Sequence, residues 1–73
     1  MDISKERVID DLNWQISEMV IEYTERALYR FMGELEAMFR FNIISLAELT
    51  DMRDRAFAIR TAYLEKKIDD MVN

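Results

Sequence analysis

The stretch from Ala27 to Ile44 reads ALYRFMGELEAMFRFNII, and apolar side chains occur in it on almost every side of a helix. A helix that is apolar nearly all round is buried by more than one neighbour. The stretch contains the only glycine of the chain, Gly33, and the chain has no proline, so the turn signals of a multi-stranded sheet are missing. We therefore predict an all-α fold with few connections.

The clearest helix boundary follows directly after this stretch. Asn42 suits the left-handed conformation that ends many helices. Ser45 and Glu48, three residues apart, form a capping box in which each side chain accepts from the other residue's backbone N–H. We predict a long helix over about 3–41, a turn at 42–45 and a second helix over about 46–71. Because the turn is short, the two helices should form an antiparallel hairpin.

Two details of the long predicted helix depend on single residues. Asp2 or Ser4 can cap its N-terminus with a side-chain oxygen. Gly33 lies toward solvent, where a mid-helix glycine costs about 1 kcal/mol relative to alanine without breaking the helix. We expect the helix to continue through Gly33. The alternative is that it ends there and that 34–41 forms a separate short helix.

The long predicted helix carries two apolar rows. The first is an ordinary core row: Ile9, Leu12, Ile16, Met19, Tyr23, Ala27, Phe31 and Met38. The second follows heptad spacing and has two reinforcing residues: Trp14, Ile21, Leu28 and Leu35, with Met32 and Phe39. A lone hairpin covers only one row, and an apolar surface of that size is unusual on a monomer. We therefore predict a homodimeric four-helix bundle whose oligomer or partner interface is the second row.

The second predicted helix also has two apolar flanks. One comprises Leu49, Met52, Ala56, Ile59 and Tyr63, and the other comprises Leu46, Phe57, Leu64, Ile68 and Met71. Basic residues at seven-residue spacing lie between them: Arg53, Arg60 and Lys67. This helix too is patterned to meet more than one neighbour.

The residue composition argues against a catalytic or metal-binding site. The chain has no cysteine and no histidine, so it lacks thiolate ligands and the commonest zinc ligand and general base. We expect no catalytic residues, no cofactor and no metal, and we predict that the protein is not an enzyme. A base-free enzyme that binds a carboxylate through Arg26, Arg30, Arg53 and Arg60 is the remoter alternative. In the simpler interpretation, these arginines cover the core edge and pair with acidic neighbours.

Net charge and hydropathy limit the expected partners and the expected cellular location. Ten basic and fifteen acidic residues give a net charge of −5, which argues mildly against a dedicated nucleic-acid binder. The N-terminus lacks an apolar signal core, and no stretch reaches the roughly 18 uncharged apolar residues of a membrane span. We expect a cytoplasmic protein with no membrane contact.

Our functional hypothesis is a small non-enzymatic regulatory or adaptor protein that acts through protein–protein interaction. Its partners would be itself, as a homodimer, and another protein. One form of such a protein is an inhibitor of the kind found in phages and mobile elements. Its acidic strip on the long predicted helix can imitate the phosphates of a nucleic acid; the strip comprises Asp11, Glu18, Glu22 and Glu25. Tyr29 points toward solvent and is the expected partner contact.

RNA binding is the alternative from a different class. Arg53, Arg60 and Lys67 can follow phosphates, and Tyr63 beside them can stack on a base. Small RNA-binding proteins of the Rop type share the hairpin-dimer layout, although their sequences do not resemble this one. The competing interpretation is that these cations pair with acidic side chains at positions flanking a helical interface.

Overall fold

The computed structural model describes residues 4–72, and these residues form three α-helices: α1 Lys5–Ile21, α2 Glu25–Arg40 and α3 Leu46–Val72. There is no strand in this range. The prediction of an all-helical protein is confirmed. The predicted two-helix hairpin, and with it the four-helix bundle made of two such hairpins, is wrong, because the single helix expected over about 3–41 is divided into α1 and α2.

The division occurs at Glu22–Thr24, where the backbone is extended. Glu22 has φ −144° and ψ 100°, and Thr24 has φ −138° and ψ 149°. The hydroxyl of Thr24 accepts a hydrogen bond of 3.0 Å from the backbone N–H of Ala27, so Thr24 is the N-cap of α2. Tyr23, between these two residues, is buried. The buried tyrosine and the threonine cap together fix a connection that turns the chain back on itself.

The connection between α2 and α3 is built as the sequence predicts. Asn42 has φ 60°, and the N–H of Ile43 donates to the carbonyl of Met38 at 2.9 Å, which is the pattern of a Schellman motif. The capping box follows: the N–H of Ser45 donates to Glu48 Oε1 at 2.8 Å, and the N–H of Glu48 donates to Ser45 Oγ at 3.1 Å. These contacts confirm both signals.

Contacts between the helices define an up-down-up bundle. Lys5 Nζ of α1 lies 2.9 Å from Glu48 of α3, and the Tyr23 ring after α1 lies 4.8 Å from the Tyr63 ring of α3, so α1 and α3 run in the same direction. The α2 helix runs the opposite way, since Glu25 at its start pairs with Arg60. The core comprises Leu12, Ile16, Met19, Tyr23, Leu28, Phe31, Leu35, Ile44, Met52 and Ala56.

The expectations for Gly33 and the N-terminus have different outcomes. The α2 helix continues through Gly33, as predicted, and the alternative break there is wrong. Ser4 occupies the N-cap position of α1, but its side chain makes no capping hydrogen bond. Asp2, the other predicted cap, lies outside the described residues.

Candidate interaction surface

The α3 helix carries a second, mainly apolar face that the bundle leaves largely uncovered. It consists of Phe57, Thr61, Leu64, Ile68 and Met71, and we call it the α3 stripe. The spacings alternate four and three residues, which places these side chains on one side of a helix. Leu64 is half-buried and the other four are exposed, with Ile68 at 59% and Met71 at 78%.

The face of α3 that packs in the bundle is a different one. Met52 and Ala56 are buried there, and Leu49 and Ile59 are partly buried against the same core. Counted at 100° per residue, this face lies about a third of a turn from the α3 stripe. The helix therefore uses one apolar face internally and presents the other outward, as the two predicted flanks of this helix indicate.

The α3 helix is also much longer than its neighbours. At 1.5 Å per residue its 27 residues span about 40 Å, whereas α1 and α2, with 17 and 16 residues, span about 25 Å each. Since Tyr63 lies against Tyr23 in the α1–α2 connection, residues 64–72 project beyond the bundle. Leu64 is the one residue in that projection that is not exposed. More than half of the α3 stripe thus lies on a helix end without neighbours in the described chain.

Charged side chains border the stripe in an ordered way. Arg60 and Lys67 follow one edge and Glu65 follows the other. Arg60 Nε lies 3.2 Å from Oε1 of Glu25, and the two side chains are 42% and 46% exposed. The Glu25 carboxylate raises the pKa of Arg60, so this guanidinium stays charged.

The region beside this ion pair contains one unsatisfied group. The hydroxyl of Tyr23 is buried without a hydrogen-bond partner among the described residues. Its burial raises the pKa of Tyr23, and the nearby Glu25 carboxylate acts in the same direction. The tyrosine is therefore neutral and serves as packing at the end of the bundle.

The predicted interface along the second apolar row is divided by the fold. Leu28 and Leu35 are 3% and 0% exposed and lie in the core, while Met32 and Phe39 pack partly buried against it. This corrects the prediction for Leu28 and Leu35, because the break at 22–24 makes α2 a separate helix that packs on both α1 and α3. For the partly exposed Met32 and Phe39 the interface stays a prediction. Trp14 and Ile21 remain exposed, at 61% and 80%, on α1.

The predicted basic row has mixed surroundings. Arg53 is half-buried, Arg60 is engaged with Glu25, and the ring of Tyr63 rests against Tyr23. Lys67 is exposed on the projecting end of α3. These residues lie on one helix, but they do not form a single open surface.

Two further features complete the surface. Tyr29 is exposed on α2, as expected for a contact residue. A groove of about 550 Å³ between α1 and α2 is lined by side chains of both charge signs, including Glu18, Arg26 and Arg30, with Trp14 at its side. Arg53 and Arg60 do not line it, so the four arginines considered for carboxylate binding do not converge.

Comparison with protein-family models, with characterised proteins and with solved structures finds no match to this chain. None of the helices in residues 4–72 combines the length and apolar character needed to cross a membrane. Within the same range, no three acidic, histidine or cysteine side chains come together as a metal site.

Proposed function

We propose that this protein is a small non-enzymatic regulatory or adaptor protein that acts through protein–protein contact, and that the α3 stripe is its contact surface. The observation that carries the proposal is the exposed apolar surface on the end of α3, where Ile68 and Met71 are uncovered by the other helices of residues 4–72. Contiguous exposed apolar surface of this kind marks interaction sites.

The arrangement of charges supports the same proposal. A polar rim around an apolar centre is the usual anatomy of a protein interface. Here Arg60 and Lys67 on one edge and Glu65 on the other supply that rim. A partner helix laid on the stripe would bury the apolar centre and leave these charges accessible.

RNA binding by Arg53, Arg60, Tyr63 and Lys67 stays a prediction. Two of its four residues are already engaged with Glu25 and Tyr23, and the chain carries a net charge of −5. Fluorescence anisotropy with labelled RNA at several salt concentrations measures it directly. Binding that falls steeply with salt and weakens in Lys67→Ala would replace protein contact as the function.

The contact surface is tested by a matched pair of substitutions. Ile68→Asp places a charge on the α3 stripe, and Ile21→Asp makes the same change at a more exposed isoleucine on α1. Both variants should keep the helical circular-dichroism spectrum of the unmodified protein. We measure self-association by sedimentation and retention of host proteins on immobilised bait. Loss of association in Ile68→Asp alone supports the proposal, and equal association in all three proteins refutes it.

A further inference from the structure

We propose that the occupant of the α3 stripe is a second copy of this chain, with the two α3 helices side by side and parallel as a short two-stranded coiled coil. This inference rests on the proposed function, since it names the partner of the same surface.

The register follows from the spacing of the stripe. Thr61 and Ile68 fall at the a positions of a heptad, and Phe57, Leu64 and Met71 fall at the d positions. Ile68 at a with Leu64 at d is the combination that favours two parallel strands. The layer formed by Leu64 and the layer formed by Ile68 would be the centre of the contact, with Thr61 and Phe57 toward the bundle.

The orientation follows from the charges that border the stripe. In a parallel pair, each g residue lies near the e residue five positions later in the other copy. Arg60 is at g and Glu65 is at e, so a parallel pair brings each arginine of one copy to the glutamate of the other, twice by symmetry. The guanidinium has five N–H donors, so Arg60 can serve Glu25 and a second carboxylate together.

An antiparallel pair would be electrostatically unfavourable. In that orientation g positions face g positions, and both g residues of the stripe are basic. Depending on the register, Arg60 would face Lys67 or Lys67 would face its own copy. Either arrangement places like charges together beside an apolar contact, which selects against the pairing.

The upstream limit of the pairing is visible as well. The a position before Phe57 is Asp54, which is exposed and charged. The contact therefore covers about two heptads, fewer residues than the 20–30 a side of a standard interface. Because α3 is already helical through its packing in the bundle, pairing does not bear the cost of helix nucleation. We expect a reversible dimer with a dissociation constant in the micromolar range.

Self-association and its location are measured first. Sedimentation equilibrium between about 1 and 100 µM should give a mass that rises from one chain to two. Ile68→Asp should stay monomeric throughout, while Ile21→Asp should dimerise like the unmodified protein. Glu65→Lys should weaken the dimer about fivefold, because it opposes Arg60 in both symmetric pairs.

Orientation is measured with an introduced cysteine, since the chain has none of its own. Under oxidation Met71→Cys should form a disulfide-linked dimer, because a parallel pair places the two copies of position 71 together. Antiparallel pairing in either register separates those positions by about 15 Å or more along the axis. Ile68→Asp combined with Met71→Cys should abolish the cross-link and controls for random collision.

Each result decides a separate point. A dimer that depends on Ile21 rather than Ile68, or a dimer in which Met71→Cys does not cross-link, overturns the inference. A chain that stays monomeric at all concentrations also overturns it. If that monomer still retains a host protein only when Ile68 is intact, the proposed function stands and the partner is a different chain. If no association depends on Ile68, both fail.

Discussion

Single side chains decide where the helices of this protein begin. Thr24 and Ser4 occupy equivalent N-cap positions, but only Thr24 accepts a hydrogen bond from its helix. We predict that Thr24→Ala lowers the free energy of unfolding by about 1 kcal/mol, since it leaves a helix N–H unsatisfied. Ser4→Ala is the matched control and should change stability far less. Urea denaturation measures both, and an equal loss in the two variants would contradict the role of the cap.

The carboxylate of Glu48 links the stability of the protein to pH. Hydrogen bonds from Lys5 and from the backbone of Ser45 lower the pKa of Glu48 from 4.5 to about 2. A carboxylate with a depressed folded-state pKa contributes stability that is present above pH 4.5 and is lost as the pH falls toward 2. We predict that Glu48→Gln lowers the melting temperature at pH 7. The difference in melting temperature between pH 7 and pH 3 should therefore be smaller in this variant than in the unmodified protein. Thermal melts at both pH values test this, with Glu18→Gln, which alters an exposed carboxylate on α1, as control.

At the scale of whole helices, α2 contains one residue that weakens it. Gly33 is exposed in mid-helix, and a Cβ added there would meet no atom within 4 Å. We predict that Gly33→Ala stabilises the protein by roughly 1 kcal/mol, through the lower backbone entropy of the unfolded chain and better helix propensity. Chemical denaturation with an unchanged m-value checks it. A loss of stability would mean that α2 is not helical at this position.

The elements differ in how far the sequence determines them. Ser45, Glu48 and Asn42 carry local signals whose chemistry acts within a few residues, so the turn before α3 could be predicted. The break at Glu22–Thr24 could not, because Met19, Tyr23 and Ala27 keep the four-residue spacing of a continuous helix across it. Ala27 also stands where a capping box would need glutamate or glutamine. The remaining signal for a helix break was the low helix propensity of four residues around it: Val20, Ile21, Tyr23 and Thr24.

The two apolar rows can be buried in two different ways, and residue spacing alone does not distinguish between them. A long helix with two rows is covered either by another chain or by folding the helix back on itself. The chain takes the second course for Leu28 and Leu35, which enter the core of the monomer. It leaves the outer flank of α3 uncovered, from Phe57 to Met71. The longest uncovered apolar row therefore lies on the last helix, while only Trp14 and Ile21 of the row predicted on the first half of the chain stay largely exposed.

At the scale of the whole molecule, a weak dimer makes stability depend on concentration. Binding that favours the folded state stabilises it by RT ln(1 + [L]/Kd), so raising the protein about tenfold above its dissociation constant adds on the order of 1 kcal/mol. For a domain of this size that shifts the melting temperature by roughly 4–8 °C. We predict such a shift for the unmodified protein and for Ile21→Asp, measured by circular dichroism in cells of different path length.

Ile68→Asp separates this linkage from intrinsic stability. Ile68 lies on the projecting part of α3 and is 59% exposed, so the substitution removes little from the core of the monomer. Its melting temperature should match that of the dilute unmodified protein and should not change with concentration. If the melting temperature of Ile68→Asp depends on concentration, self-association occurs through another surface. The exposed residues Trp14 and Ile21 on α1 would then be the first ones to substitute. If the melting temperature of the unmodified protein does not depend on concentration, the chain does not pair with itself, and the partner of the α3 stripe is a different protein.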